Sequence, residues 1–296
     1  MMHEKQVVVT LEVVRRLVDD QFPHWRQLPL HEITSAGTDN AIFRIGDDLA
    51  ARFPLHAQDT AGAWTSLESE ARALRELAAC SPVATPFPVA LGAPGDGFPL
   101  PWAVQTWLPG RVATPDDPAG SVAFAEDLAG FITSLRAAGT QGRPFSGRGR
   151  GGHLPDHDAW MDVCFERSEG LLDVSPLRRL WHELRQLPRV GPDVMSHKDL
   201  IPGNVLVEED RLVGVLDGGA FGPADPALDL VSAWHLLERA PREELRRAMG
   251  CAEVEWRRGM AWALEQAMGL VWYYADSNPP MAHLGRRTVT RLLAET

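Results

Sequence analysis

Two kinds of element are segregated along this chain. Short runs rich in Ile, Val and Phe, with turn residues between them, fall within the first 107 residues beside two helical stretches, and helical periodicity takes over from about Val122. A parallel sheet would alternate strands with helices, so strands first and helices afterwards predict an α+β fold. Within the first part, Thr10 precedes LEVVRRLVDDQF, whose Leu11, Val14, Leu17 and Val18 follow the helical period up to Pro23. LPLHEITS, AIFRIG and LAARFP read as strands, and the Asp47-Asp48 pair after Gly46 reads as a hairpin turn. Trp64 to Ala79 is a second helix closed by Cys80-Ser81-Pro82, and PWAVQTW is a further strand that LPGR breaks. VAFAEDLAGFITSLRAA opens the helical part, followed by a Gly/Arg-rich loop from Gly139 to Gly152. Strands return in VLVEEDRLVGVLD, with a turn at Glu209-Asp210, before a long helical segment, VEWRRGMAWALEQAMGLVWYYAD. The expected organisation is a strand-rich part over residues 1–105, a linker over 106–110 and a mostly helical part over 111–296.

The net charge of −11 is spread over both parts. It argues against a nucleic-acid partner, which needs a basic face on the phosphates. No stretch reaches the roughly 20 apolar residues of a membrane span, and the start lacks the apolar core of a secretion signal, so the expected location is the cytoplasm. Cys80, Cys164 and Cys251 are odd in number and show no CxxC pairing, so they are read as buried thiols, with neither a disulfide framework nor a zinc site.

The stretch SHKDLIPGNVLVEEDRLVGVLDGG spaces His197-x-Asp199-x-x-x-x-Asn204 and adds Asp217 in Asp-Gly-Gly. Taken singly, each of these is a turn residue or a satisfied polar residue. As an ordered set they resemble the catalytic loop and metal-binding motif of the protein-kinase-like superfamily. More narrowly they resemble the aminoglycoside phosphotransferase family of antibiotic kinases. SAGTDNAIFRIG, LAARFP, PWAVQTWLPG, FGPADPALDLVSAW and WRRGMAWALEQA extend the resemblance over most of the chain.

The resemblance implies a two-lobe protein-kinase-like fold, with a small antiparallel-sheet N-lobe that binds nucleotide and a larger helical C-lobe that carries catalysis and the acceptor. Phosphoryl transfer needs a carboxylate to orient the acceptor hydroxyl and take its proton, and metal ions to neutralise the β and γ oxygens. Asp199 is then the base, and Asn204 and Asp217 offer oxygens to Mg²⁺. His197 braces the loop. The donor is ATP or GTP. Ser35, Gly37 and Thr38 form a turn that covers the phosphates, although a single glycine makes a weak phosphate loop. The only lysines are Lys5 and Lys198, so Arg52 takes the place of the kinase strand lysine, with Glu70 or Glu68 as its partner. Gln105 and Trp107 lie in the stretch whose backbone meets the purine. Lys198 stands where the family has Gly, as a solvated loop lysine or a phosphate contact. Asp225 and Asp229 fit the first turn of a helix.

Seven residues, Gly218 to Ala224, separate Asp217 from Asp225. That leaves no room for a peptide-docking platform, so the acceptor is expected to be a small molecule. The resemblance implies a hydroxyl of an antibiotic of aminoglycoside, macrolide or nucleoside type. Candidates for the acceptor wall are Glu265, Trp272, Tyr273, Tyr274 and Asp276, although helical spacing describes core equally well at several of these positions. Two alternatives remain open: a kinase of an ordinary hydroxylated metabolite, and a nucleotide-binding protein without catalysis. Retention of Asp199, Asn204 and Asp217 counts against the second.

Overall fold

The computed structural model describes residues 7–33, 40–56, 59–95 and 97–295. The chain forms two compact units, one of Met1–Ala79 and Ala84–Pro109, the other of Cys80–Val83 and Gly110–Thr296. The first carries a small antiparallel sheet and the second is mostly helical, as the α+β pattern requires.

In the first unit, helix α1 (Leu11–Gln21) begins where the Thr10 hydroxyl accepts the Val13 N–H at 3.4 Å, and it buries Val14, Leu17 and Val18. Strands β1 (Leu30–Ile33), β2 (Asn40–Ile45) and β3 (Leu49–Pro54) follow. Helix α2 (Thr60–Cys80) starts ahead of the expected Trp64, because the Asp59 carboxylate accepts the Gly62 N–H at 2.8 Å. Strands β4 (Pro88–Gly92) and β5 (Trp102–Thr106) complete a sheet in the order β1-β2-β3-β5-β4. Alternate residues Phe43 and Ile45, Ala51 and Phe53, and Trp102 and Val104 point into one core. Phe53 stacks on Trp102 with ring centroids 4.8 Å apart. Gly92 admits the indole, since a Cβ there would lie 2.1 Å from Trp102. Strand β4 was not expected, because it opens on Pro88 and leaves Val89 exposed, which hides its alternation.

In the second unit, β6 (Arg111–Val112) precedes α3 (Val122–Ala137), capped by the Ser121 hydroxyl. The Gly139–Gly152 stretch is irregular and leads to α4 (Asp158–Ser168) and α5 (Val174–Leu184). Short strands β7 (Val194–Ser196), β8 (Val205–Glu208), β9 (Arg211–Val215) and β10 (Gly222–Ala224) come next, then helices α6 (Val231–Leu236), α7 (Arg239–Met249), α8 (Glu253–Tyr273) and α9 (Pro279–Leu293). β8 and β9 form the expected hairpin, with Glu209 and Asp210 both at positive φ (43° and 61°), the backbone a two-residue turn between twisted strands demands. β6 pairs with β8, and β10 pairs with β7. Neither three-residue strand was expected, since each is too short to show a period.

Helix α8 is buried nearly all round, packing against α4, α5, α6 and α9. Gly259 lets it approach the turn before α6, where a Cβ would meet Leu230 at 2.7 Å. Under this helix Arg258 and Asp225 form an ion pair, each only 1% exposed. The second Asp225 oxygen accepts the Ala227 N–H at 3.0 Å, and Arg258 Nη1 donates to the Leu187 carbonyl at 2.5 Å. Asp225 is thus held by a guanidinium rather than by a helix dipole. Cys164 and Cys251 are buried, and burial raises their thiols to about 12 and about 11, but Cys80 is only half-buried. Among the described residues, no helix is long and apolar enough to cross a membrane.

Candidate active site

The β7–β10 pair and the β8–β9 hairpin hold the segment between them in one conformation. The Asp229 carboxylate accepts two successive amides of the loop after β7, His197 N–H and Lys198 N–H, each at 2.9 Å. Asp229 is therefore a brace of this loop. Lys198 has φ +74, in the left-handed region that suits glycine, so the loop bends here at a conformational cost that Asp229 offsets. The fully buried His197 ring completes the brace. The Leu216 carbonyl can only accept, so the His197 proton lies on Nε2, which donates at 2.9 Å. Nδ1 then faces the Asp199 N–H at 3.4 Å. His197 ties the Asp199 loop to the residue before Asp217, in keeping with its expected bracing role.

Asp199 is one-third exposed. Asn204 Nδ2 donates to both the Asp199 carbonyl and its Oδ2, at 2.9 Å each. The Leu216 N–H donates to the Asn204 carbonyl at 2.7 Å, which sets Asn204 and Asp217 at the open end of the hairpin. Asp217 is solvent-exposed, with left-handed backbone (φ 56°, ψ 42°). With the Asn204 amide nitrogen spent on Asp199, its oxygen is the atom left for a cation. Among the described residues, no group of three or more His, Cys, Asp or Glu gathers for a metal. One amide oxygen and one carboxylate suit Mg²⁺, which takes its remaining ligands from phosphate and water.

Two partners of Asp199 escaped the sequence reading. Arg150 Nη2 lies 3.1 Å from Oδ1, and Gln266 Nε2 donates to the same oxygen at 2.9 Å. Arg150 comes from the Gly/Arg-rich loop. That loop is pinned where the Asp225 N–H donates to the Gly151 carbonyl at 2.8 Å, and a Cβ on Gly151 would meet Ala224 at 2.7 Å. No local pattern signals either contact, because both residues are far from Asp199 in sequence. Lys198 is not a solvated loop lysine. It is half-buried with Nζ 5.7 Å from the Phe145 ring, and desolvation lowers its pKa.

The acceptor-wall candidates separate. Glu265 is buried beneath His157, whose Nδ1 lies 2.9 Å from its Oε1, so it does not line an open wall. Tyr274 packs against Ile201, Leu270 and Leu284. Trp272 Nε1 reaches Cys164 Sγ at 3.4 Å, and Tyr273 is 48% exposed. Asp276 lies beyond the end of α8 and is exposed. A half-open cavity of about 530 Å³ lies instead at the Gly/Arg-rich loop, lined by Phe145, His153, Asp156, His157, Arg189 and Asp193 among others. Both of its carboxylates have partners: Arg189 pairs with Asp193, and His153 Nδ1 lies 3.3 Å from Asp156 Oδ1.

The nucleotide candidates belong to the first unit. Arg52, on β3, lies 3.9 Å from Glu70, which settles the partner in favour of Glu70 over Glu68. The Trp107 N–H donates to the Asp48 carbonyl at 2.7 Å and the Thr106 N–H to Phe87 at 2.9 Å, so both amides are engaged within the unit. Gln105 sits in β5 opposite Ala50. Ser35, Gly37 and Thr38 lie outside the described residues.

A family model described as the phosphotransferase enzyme family matches residues 32–262. An aminoglycoside 3'-phosphotransferase of Escherichia coli is 28% identical over 149 residues, 46% of this chain and 52% of that protein. The chain therefore spans about half the length of the curated relatives it matches. Among solved structures, the GDP and kanamycin complex of APH(2")-IIia superposes with a TM-score of 0.69 at 20% identity, covering 97% of this chain and 100% of that one. Macrolide 2'-phosphotransferase MphH from Brachybacterium faecium superposes with a TM-score of 0.63 at 20% identity, covering 94% and 97%. These likenesses show a shared fold.

Proposed function

Because the chain belongs to the phosphotransferase enzyme family, we propose that it moves the γ-phosphate of a nucleoside triphosphate, ATP or GTP, to a hydroxyl of a small-molecule antibiotic. The observation that carries this reading is the joining of Asp199, Asn204 and Asp217 into one braced loop and hairpin, with the Asp199 carboxylate left partly exposed. In the step, the acceptor oxygen bonds to the γ-phosphorus, the bond to the β–γ bridging oxygen breaks, the nucleoside diphosphate leaves with the electron pair, and the acceptor proton passes to Asp199. Asn204 and Asp217 would hold Mg²⁺, which when bound neutralises charge on the β and γ oxygens. Arg52, 3.9 Å from Glu70, would bind phosphate in the kinase lysine's stead.

The acceptor is a small molecule, since Gly218 to Ala224 are consumed by one turn and β10. The spread of the net charge of −11 over both parts of the chain, rather than in one acidic stretch, supports an acceptor of low positive charge, of macrolide or nucleoside type, on equal terms with an aminoglycoside. Polycation recognition would call for unmatched carboxylates. The test is a nucleotide-consumption screen over aminoglycosides, macrolides, nucleoside antibiotics and hydroxylated metabolites, at low and moderate salt. Turnover of an antibiotic class supports the reading, and steep salt dependence confined to aminoglycosides would reject the low-charge acceptor. Turnover of metabolites alone would make the protein a metabolic kinase.

A further inference from the structure

The protons around Asp199 are fixed by what each neighbour is able to do. A carboxylate only accepts, so Gln266 must turn its amide nitrogen towards Oδ1, at 2.9 Å. The Gln266 oxygen then faces His235 Nε2 at 3.1 Å, and this nitrogen must carry the imidazole proton. Nδ1 is left bare and accepts from the Thr288 hydroxyl at 2.8 Å. The chain of donors runs one way, from Thr288 on α9 through His235 on α6 and Gln266 on α8 to Asp199. All three are buried: His235 and Thr288 are 0% exposed and Gln266 6%. Burial pushes His235 down to about 3, so the ring stays neutral and donates once.

Oδ1 therefore receives Gln266 and Arg150, and Oδ2 receives Asn204. A carboxylate has about four lone-pair positions, two on each oxygen, so one on Oδ2 remains. We propose that Gln266, set by His235 and Thr288, is a positioning residue that fixes the rotation of the Asp199 carboxylate and directs the acceptor proton to Oδ2. Loss of the Thr288 hydroxyl would free His235 to move its proton to Nδ1 and Gln266 to flip, turning a carbonyl oxygen against Asp199. The proposal rests on the kinase reading, but its proton pattern can be tested without turnover.

Three variants make the test: Gln266→Met keeps the volume and removes the donor, Thr288→Val removes a hydroxyl two links away, and Thr288→Ser keeps it. With an acceptor found by the screen, kcat should fall about tenfold to a hundredfold in Gln266→Met, the range for a lost hydrogen bond to a charged group. It should fall by a smaller factor in Thr288→Val and recover in Thr288→Ser, with the nucleotide KM unchanged. The double variant should be no slower than Gln266→Met alone, because both break one chain. Nitrogen-15 NMR of labelled histidine should find the parent His235 proton on Nε2, with its signals moved by Thr288→Val and by Asp199→Ala. A parent proton on Nδ1, signals indifferent to Asp199→Ala, or additive losses in kcat would overturn the proposal. An empty acceptor screen with the expected NMR pattern would instead fault the kinase reading and leave the relay standing.

Discussion

Asp199 and Asp225 are two carboxylates of the same unit with opposite fates. Each is held by an arginine, yet Asp225 is 1% exposed and Asp199 one-third exposed. Asp225 also accepts from Trp262 Nε1 at 3.3 Å and Ala227 N–H at 3.0 Å, which completes its hydrogen bonding inside the core. Asp199 has three side-chain donors and an edge left open to solvent. Ion pairing by itself therefore says nothing about role. The proposed base differs from the anchor in that its remaining acceptor position is open to solvent, where a partner can arrive and depart.

The contrast is broken most directly at its two poles. Asp199→Ala should cost on the order of 10²–10⁴-fold in single-turnover transfer with little change in the melting temperature. Asp225→Ala leaves Arg258 buried without its carboxylate and should cost about 3–5 kcal/mol of stability, measured by denaturant titration. A large stability loss in the first, or none in the second, would dissolve the distinction. Asp217→Asn extends the comparison to the exposed hairpin end. Mg²⁺-dependent nucleotide affinity should fall by about a hundredfold or more, since even residues that only orient metal ligands are worth about 10–100-fold. Calorimetry with and without Mg²⁺ reads this, and an unchanged metal dependence would make Asp217 a turn residue.

Arg52 carries the contrast into the first unit, where its guanidinium lies 3.9 Å from Glu70. Arg52→Ala should weaken nucleotide binding about tenfold to a hundredfold, and Arg52→Lys by less, because a point charge replaces two parallel hydrogen bonds. Equal losses in the two would argue against a phosphate clamp. The smallest effect belongs to Asp127 on α3, paired with Arg211 on the surface at 2.6 Å. The Arg211 hydrogen bond lowers the Asp127 pKa below the ordinary aspartate value. Its stabilisation is present above the unfolded value near about 3.9 and is lost as pH falls through the lower folded value. Melting curves of Asp127→Asn and the parent should differ slightly at neutral pH, less in high salt, and converge in acid.

Much of the fold was legible wherever a period had room to repeat: α1, the β2–β3 hairpin, α2, α3 and the β8–β9 hairpin. The strands that escaped are two to five residues long, and two of them carry a proline, Pro88 in β4 and Pro223 in β10. Within the candidate site, Asp199, Asn204 and Asp217 share one continuous stretch and so could be read together. Arg150, Gln266 and His235 could not, because their pairing with that stretch exists only once α6, α8 and the Gly/Arg-rich loop have packed. The burial of Glu265 beneath His157 was illegible for the same reason. On a helix buried nearly all round, sequence does not say which side meets His157 and which meets an open wall.

The β8–β9 hairpin has one further consequence, for grafting. Asn204 and Asp217 stand at its open end, while Glu209 and Asp210 turn the chain at its tip. Lengthening the tip adds residues without altering the separation of Asn204 and Asp217, because the rungs from Val205–Val215 to Glu208–Arg211 lie between. A peptide tag or a reporter domain spliced between Glu209 and Asp210 would ride on the protein while leaving the proposed site in place.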